Sequence, residues 1–247
     1  MSMEPGDPHT AALIADLDRH DKPALRAAVE KLIFLAGKLP HLREVLNRRL
    51  AETGHWPLAY VLGHLPHPSP AALQTLLNAL DHGEPDIRWA IALLLGRIAR
   101  ENNAADLINA LTHLCATGTI NQRRMALYVI RDLSLTDAAS LTALLTALRD
   151  LEPSVRVAAA ISLKPRSDIG DDGKNLLLEA YLHDAEPRVR HTAAITLAGL
   201  GAPQPEFVAA LIKNRESEDA QTKKAAIAAL ELLEKRRSAS PDRANDR

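Results

Sequence analysis

The sequence predicts an all-α chain, a right-handed α-solenoid of about seven antiparallel helix pairs, and three observations carry that prediction. The stretch from Asp184 to Gly201, DAEPRVRHTAAITLAGLG, is a turn and a Glu-Pro followed by Val189, Ala193, Leu197 and Leu200, the spacing of one helix face. The same pattern returns as EPDIRWAIALLLGRIA from Glu84 and as EPSVRVAAAISL from Glu152. Recurrence of this kind marks stacked units, each unable to bury its apolar face alone. Finally, the 247 residues are 47% hydrophobic but only 3% aromatic, so alanine and leucine must fill the core. Small side chains let helices approach closely, which suits thin layers better than one large globular centre.

Taken in order, the spacing predicts helices over 10–19, 23–37, 41–53, 56–65, 70–81, 85–100, 104–116, 120–133, 137–149, 153–164, 171–183, 187–200, 205–215 and 219–236. Pro187 suits a first helical turn, where its missing N–H costs nothing, and Glu186 suits the positive helix start. Breaks fall at Lys22-Pro23, Leu39-Pro40, Gly54, the Pro66–Pro70 cluster, Gly83, Gly118, 167–173 and 201–205. The repeat phase survives the Pro-rich cluster, so residues 1–237 are expected to form one solenoid. The last stretch, 238–247 (SASPDRANDR), has no large apolar residue and contains Pro241, and is expected to be a disordered tail.

The second helix of each pair sets the phase. Its leading residue falls at His55, Arg88, Arg123, Arg156, Arg190 and Lys223, in steps of 33 to 35 residues. The expected buried stripe is Leu58/Leu62/Leu65, Ile91/Leu95/Ile98, Ala126/Ile130/Leu133, Ala159/Leu163, Ala193/Leu197/Leu200 and Ala226/Leu230/Leu233. The repeat with Gln122 in place of an apolar leader fits least well, and the first pair, up to Gly37, follows only loosely, as terminal caps do. A turn acid, then Pro, then Val-Arg, then small residues and Leu, as in Asp150–Arg156 and Asp184–Arg190, resembles the HEAT repeats, particularly the short bacterial type first named for phycobilisome lyases. The resemblance covers roughly 54–234. It implies a ladder of turn acids and following arginines, here Asp150/Arg156, Asp184/Arg190 and Asp81/Arg88. It does not imply one function, because this fold carries adaptors, nucleic-acid enzymes and modifying enzymes alike.

Charge and composition narrow the functions. A formal net charge of −1 argues against a chain built as a whole to hold nucleic acid or an anionic membrane. Cys115, the only cysteine, excludes an intrachain disulfide and a cysteine zinc site, and its apolar neighbours Leu111 and Leu114 point to a buried, inert thiol. The acidic N-terminal stretch is unlike a signal peptide, and no run reaches the roughly 18 apolar residues of a membrane span. A cytoplasmic location and no membrane partner are expected. The ten histidines are scattered; His55, His64 and His67 lack an acidic companion at i, i+4 and no His-Glu dipeptide occurs, so neither a metal nor another cofactor is implied. No Gly-rich phosphate loop or Gly-x-Ser-x-Gly elbow is present. The repeated arginines are expected in a structural ladder rather than on phosphates, since acids accompany nearly all of them.

Overlaying the second helices gathers the candidate site. In HEAT-like stacks the residue after the leading cation points to the concave side, and here that position holds Trp56, Trp89, Arg124, Val157, His191 and Lys224. One turn on come Tyr60, Leu93, Tyr128, Ile161, Ile195 and Ala228, then His64, Arg97 and Asp132. Aromatic and arginine clusters are enriched in protein-binding hot spots. The expected partner-binding residues are therefore Trp56, Tyr60, Trp89, Arg97, Arg124, Tyr128, Asp132 and His191, with no catalytic residue assigned, in a scaffold or adaptor that holds a segment of another protein. The same cluster resembles the cleft of HEAT-repeat alkylpurine DNA glycosylases, which implies as an alternative a DNA-binding or glycosylase-like protein using Trp89, Arg97, Arg124 and Asp132. That cleft's carboxylate is missing one turn after the tryptophans, where Leu93 and Tyr60 stand. The family's name alone suggests a third reading, bilin lyase-like or chaperone activity on a chromoprotein.

Overall fold

Proline opens helix after helix. In the computed structural model, which describes residues 8–18, 21–102, 105–201 and 203–239, the helices are α1 (Pro8–Ala15), α2 (Lys22–Lys38), α3 (Pro40–Thr53), α4 (Trp56–Gly63), α5 (Pro70–Ala79), α6 (Pro85–Asn102) and α7 (Ala105–Thr117). They continue as α8 (Ile120–Asp132), α9 (Ala138–Ala147), α10 (Pro153–Leu163), α11 (Gly170–His183), α12 (Pro187–Leu200), α13 (Pro205–Asn214) and α14 (Ala220–Ser238). No strand occurs among the described residues. A short 3-10 turn, Asp16–Asp18, follows α1. Of the expected tail, 240–247 lies outside the described residues, while Ser238 closes α14.

Starts and stops have local causes. Asp21, Ser69, Asp137 and Asp219 cap α2, α5, α9 and α14 through their side chains. Thr119 and Gln122 form a reciprocal capping box on α8, which accounts for Gln122 where the repeat pattern has an apolar residue. Gly54 ends α3 in the left-handed region at φ +61, a conformation that disfavours other residues.

Contacts gather into two compact units, residues 1–110 and 111–247. In the first, α2 packs on α3 and α4, and α4 packs on α5 and α6. Leu32, Leu46, Leu58, Leu62, Leu76, Ile91 and Leu95 are almost fully buried. Each such side chain contributes about 1.5–3 kcal/mol on leaving water.

In the second unit α8, α10, α12 and α14 pack in succession, and α9, α11 and α13 each lie against the helix that follows. The expected stripe lies inside at Ala126, Ile130, Ala159, Leu163, Ala193, Leu197 and Ala226, while Leu133, Leu200, Leu230 and Leu233 are only half-buried. Alanines at 158–160 and 193–194 bring the helix backbones close enough for two buried hydroxyls to cross between them. Ser162 Oγ donates to the Leu127 carbonyl at 3.1 Å, and Thr196 Oγ1 to the Ala160 carbonyl at 2.9 Å. A buried hydroxyl left without such a partner costs roughly 1–3 kcal/mol, so these bonds fix the register of neighbouring helices.

The leading arginines do occupy equivalent positions. Arg88 Nη1 donates to the carbonyls of His82 and Gly83, Arg156 to those of Asp150 and Leu151, Arg190 to those of Asp184 and Ala185, and Arg123 to that of Gly118. The carboxylates that Arg156 and Arg190 engage, however, differ from the expected partners. Arg156 forks onto Asp184, one turn further along the chain, at 2.6 and 2.8 Å, and Arg123 onto Asp150 at 2.8 and 2.9 Å. Arg190 reaches Asp219 at 3.2 Å. The turns before Arg156 and Arg190 supply carbonyls, while their acids, Asp150 and Asp184, face the preceding arginine. Asp150 and Asp184 then accept the N–H of Glu152 and Glu186, closing their turns.

Candidate functional site

In the first unit the site residues lie on α4 and α6, which pack together. Trp56 starts α4 and is half-buried, its ring edge-on to Tyr60 at 6.3 Å and to His82 at 5.5 Å. His82 belongs to the turn after α5, so a reading of helix faces alone misses it. The Tyr60 ring lies 4.7 Å from that of His64, whose Nδ1 donates to the Tyr60 carbonyl at 2.9 Å. That bond places the proton on Nδ1. Burial and the charge of Arg97 push His64 below the ordinary histidine range, against the carbonyl bond and Glu101, so the ring is neutral at pH 7.

On α6, Trp89, Leu93 and Arg97 follow at i, i+4 and i+8. Trp89 is 41% exposed and Leu93 61%. Arg97 Nη2 donates to the Gly63 carbonyl at 3.2 Å, while its Nε is buried without a hydrogen-bond partner, 3.9 Å from the Glu101 carboxylate. Gly63 packs tightly: a Cβ there would stand 3.0 Å from both Leu76 Cδ1 and Leu94 Cδ2, so a larger residue would require those leucines to shift. An aromatic and aliphatic strip with a guanidinium at its end is thus built on two packed helices.

The second unit holds the remaining site residues in separate places. Arg124 and Tyr128 line a cavity of about 310 Å³ with Glu152, Ser154, Val157 and Arg188, at the starts of α8, α10 and α12. Arg124 Nε is buried there without a hydrogen-bond partner. Tyr128 is 9% exposed, and the Arg131 guanidinium stacks 5.2 Å from its ring. Asp132 is paired with Arg131 at 2.7 Å. His191 is half-buried on α12, held below its ordinary pKa by burial and by Lys224.

A further cavity, about 800 Å³, lies elsewhere, between α7 and α9, lined by Ala116, Ala139, Ala143, Thr112, Thr142 and Cys115 among others. Burial pushes the Cys115 thiol up to about 12, which leaves it protonated and unreactive at neutral pH. Among the described residues no three His, Cys, Asp or Glu side chains are grouped as metal ligands, and no helix is long and apolar enough to cross a membrane.

Comparison with known proteins finds the HEAT-repeat family model over residues 139–231. No curated protein matches the chain. Among solved structures it is similar to an engineered protein (17% identity, 92% of this chain and 97% of that one, TM-score 0.47). It is also similar to a designed armadillo repeat protein (20%, 90% and 98%, 0.45) and to a designed armadillo repeat protein in complex with the peptide (KR)4 (18%, 90% and 98%, 0.45). Likenesses with TM-scores below 0.5 add nothing to what the helix pairs establish. The match over α9 to α14 coincides with the Arg–Asp ladder and the successive packing of α10, α12 and α14: residues 139–231 are a run of HEAT repeats.

Proposed function

We propose that the chain is a non-enzymatic scaffold that holds a segment of another protein on the face formed by α4 and α6, the second helices of two of its pairs. The observation that carries this is the exposure of Trp89 and Leu93, one turn apart on α6, beside the aromatic group of Trp56, Tyr60 and His64 on α4. Exposed apolar side chains in this density favour a covering partner, and Trp, Tyr and Arg are the residues that anchor protein interfaces. Engagement of Arg123, Arg156 and Arg190 with carboxylates also supports the reading, because those cations are neutralised within the repeats rather than offered to phosphates.

The second reading, DNA binding of the glycosylase kind, draws support from Arg124 and Arg188, which make no ion pair among the described residues and line the 310 Å³ cavity with Tyr128. Its candidate acid, Asp132, is bound by Arg131. The test is a photo-crosslinking amino acid placed at Leu93 in the full chain. Under the scaffold reading it labels a protein of the native host's extract, Trp89→Ala abolishes the labelling while the helical spectrum is kept, and a crosslinker at Leu182 does not reproduce it. Labelling of nucleic acid instead, with duplex affinity falling steeply with salt, would overturn the scaffold reading.

A further inference from the structure

The first unit carries a polar cluster beside its apolar strip. Arg26 projects from α2, Tyr60 from α4 and Arg97 from α6, and α4 packs against both of the other helices. Arg26 is exposed and makes no ion pair or side-chain hydrogen bond, and the Tyr60 hydroxyl makes no hydrogen bond, among the described residues. The Arg97 Nε lacks a hydrogen-bond partner although buried. Burial raises the Tyr60 hydroxyl above the ordinary tyrosine range, and the nearby charges of Arg97 and Arg26 pull it back. Two guanidiniums from different helices thus act on one unbonded hydroxyl. His64, neutral beside them, adds no charge.

The acids nearby are largely occupied. Glu84 and Asp86, at the start of α6, are held by Lys22 at 2.5 and 2.9 Å. Glu101 approaches Arg97 only at 3.9 Å, with 62% of its side chain exposed. The cluster therefore has donors and positive charge with no carboxylate seated among them. An arginine N–H bonds a carboxylate in short, charge-assisted geometry, and a tyrosine O–H adds a neutral donor.

We propose that the segment bound on this face presents an acidic side chain next to an apolar one. The carboxylate sits among Arg26, the Tyr60 hydroxyl and Arg97, and the apolar side chain lies on Trp89 and Leu93, which continue from Arg97 along α6 toward its start. The inference rests on the scaffold reading and specifies its partner. The positive cluster and the apolar strip share one helix, so a single short stretch of partner reaches both: Arg97 lies one turn from Leu93 and two from Trp89. A neutral or basic segment would leave the donors of Arg97 and Tyr60 unpaired on burial, which is the source of selectivity.

The experiment is selection of a displayed library of random twelve-residue peptides on the full chain, followed by affinities of the best synthetic peptide. Enrichment of Asp or Glu within two positions of an aromatic or large aliphatic residue is expected. Changing that acid to its amide should weaken binding about tenfold, as should Arg97→Gln in the protein. Arg26→Gln should weaken it by a smaller factor, on the order of threefold. Glu101→Gln, which removes the competing carboxylate, should tighten it. Because Arg97→Gln also loses the Gly63 bond, the exposed Arg26 decides the matter if the Arg97 variant does not fold. Apolar peptides enriched without an acid, or basic ones, would overturn the carboxylate site and leave the scaffold reading standing, provided Trp89→Ala abolishes their binding. Duplex DNA that binds and is lost in Arg26→Gln, with no peptide enriched, would overturn both.

Discussion

The two units solve the same problem, tying one helix pair to the next, by different means. In residues 111–247 the tie is repeated: an arginine bonds carbonyl oxygen of its own turn and reaches the aspartate of the following one, through two hydrogen bonds at Arg123 and Arg156 and one at Arg190. In residues 1–110 the ties are individual. Lys22 spans to Glu84 and Asp86, Arg43 donates to the His67 carbonyl, Ser69 donates to Asn47, and Arg97 to the Gly63 carbonyl. A repeated tie consumes its charged groups in neutral, partly buried pairs. Individual ties leave groups over, and those left over, the Arg26 guanidinium, the Tyr60 hydroxyl and the Nε of Arg97, adjoin the exposed Trp89 and Leu93. Regularity here marks structure, and departure from it marks the candidate site.

The largest effect should come from the buried register of the ladder unit. Leu197 is 5% exposed on α12, and Leu197→Asp should cost about 4 kcal/mol through an unpaired buried charge, measured by chemical denaturation. A variant as stable as the wild type would show that the stripe does not hold the α12 layer.

Next comes the ladder. The Arg156 and Asp184 side chains are 15% and 8% exposed, so Asp184→Ala strands a poorly hydrated guanidinium and should cost about 3 kcal/mol at pH 7. Burial acts to raise the Asp184 carboxyl, but the Arg156 fork and the Glu186 N–H outweigh it and hold it below the usual carboxylate range. A depressed folded pKa means stability that is present above the ordinary carboxyl value and lost as the pH falls through the folded one. The gap between wild type and variant should therefore be full at pH 7 and close as the pH falls below about 4. A gap independent of pH would show that the carboxylate's charge is not what the rung uses.

The smallest effect sharpens the contrast. Lys22, its pKa raised to about 12 by Asp86 and Glu84, makes a short pair, yet its side chain is 58% exposed and its partners are exposed as well. Lys22→Met should leave the melting temperature within the scatter of repeat measurements. A fall comparable to that of Asp184→Ala would erase the distinction between the two kinds of tie.

The fold was largely legible because its signals are local. Prolines and capping side chains mark helix starts, and the i, i+4 stripe marks buried faces. The equivalence of Arg88, Arg156 and Arg190 followed from their spacing. Their carboxylate partners did not, since the nearest acid in the chain is not the nearest in space: Arg156 passes Asp150 and reaches Asp184. The site was legible as a set of helix positions but not as surroundings. Tyr60 and Tyr128 share a repeat position, yet Tyr60 stands half-exposed among Trp56 and His64 while Tyr128 is covered in part by Arg131. His82 and Arg26 come from a turn and from the loosely patterned first pair, where periodicity carries no information.

The offset of the rungs bears on how such a chain grows. Each arginine faces an aspartate 27 to 29 residues later, short of the next leading position, so a segment running from one leading arginine up to the next carries a complete rung, an arginine and its own aspartate. Duplication of such a segment, by unequal crossing-over within the gene, adds a new arginine together with the aspartate that it faces. Every rung is remade, and no charge is orphaned at the junctions. Lengthening the array by whole repeats is then electrostatically neutral at each step, whereas inserting a fraction of a repeat strands a guanidinium on one side of the insertion and a carboxylate on the other.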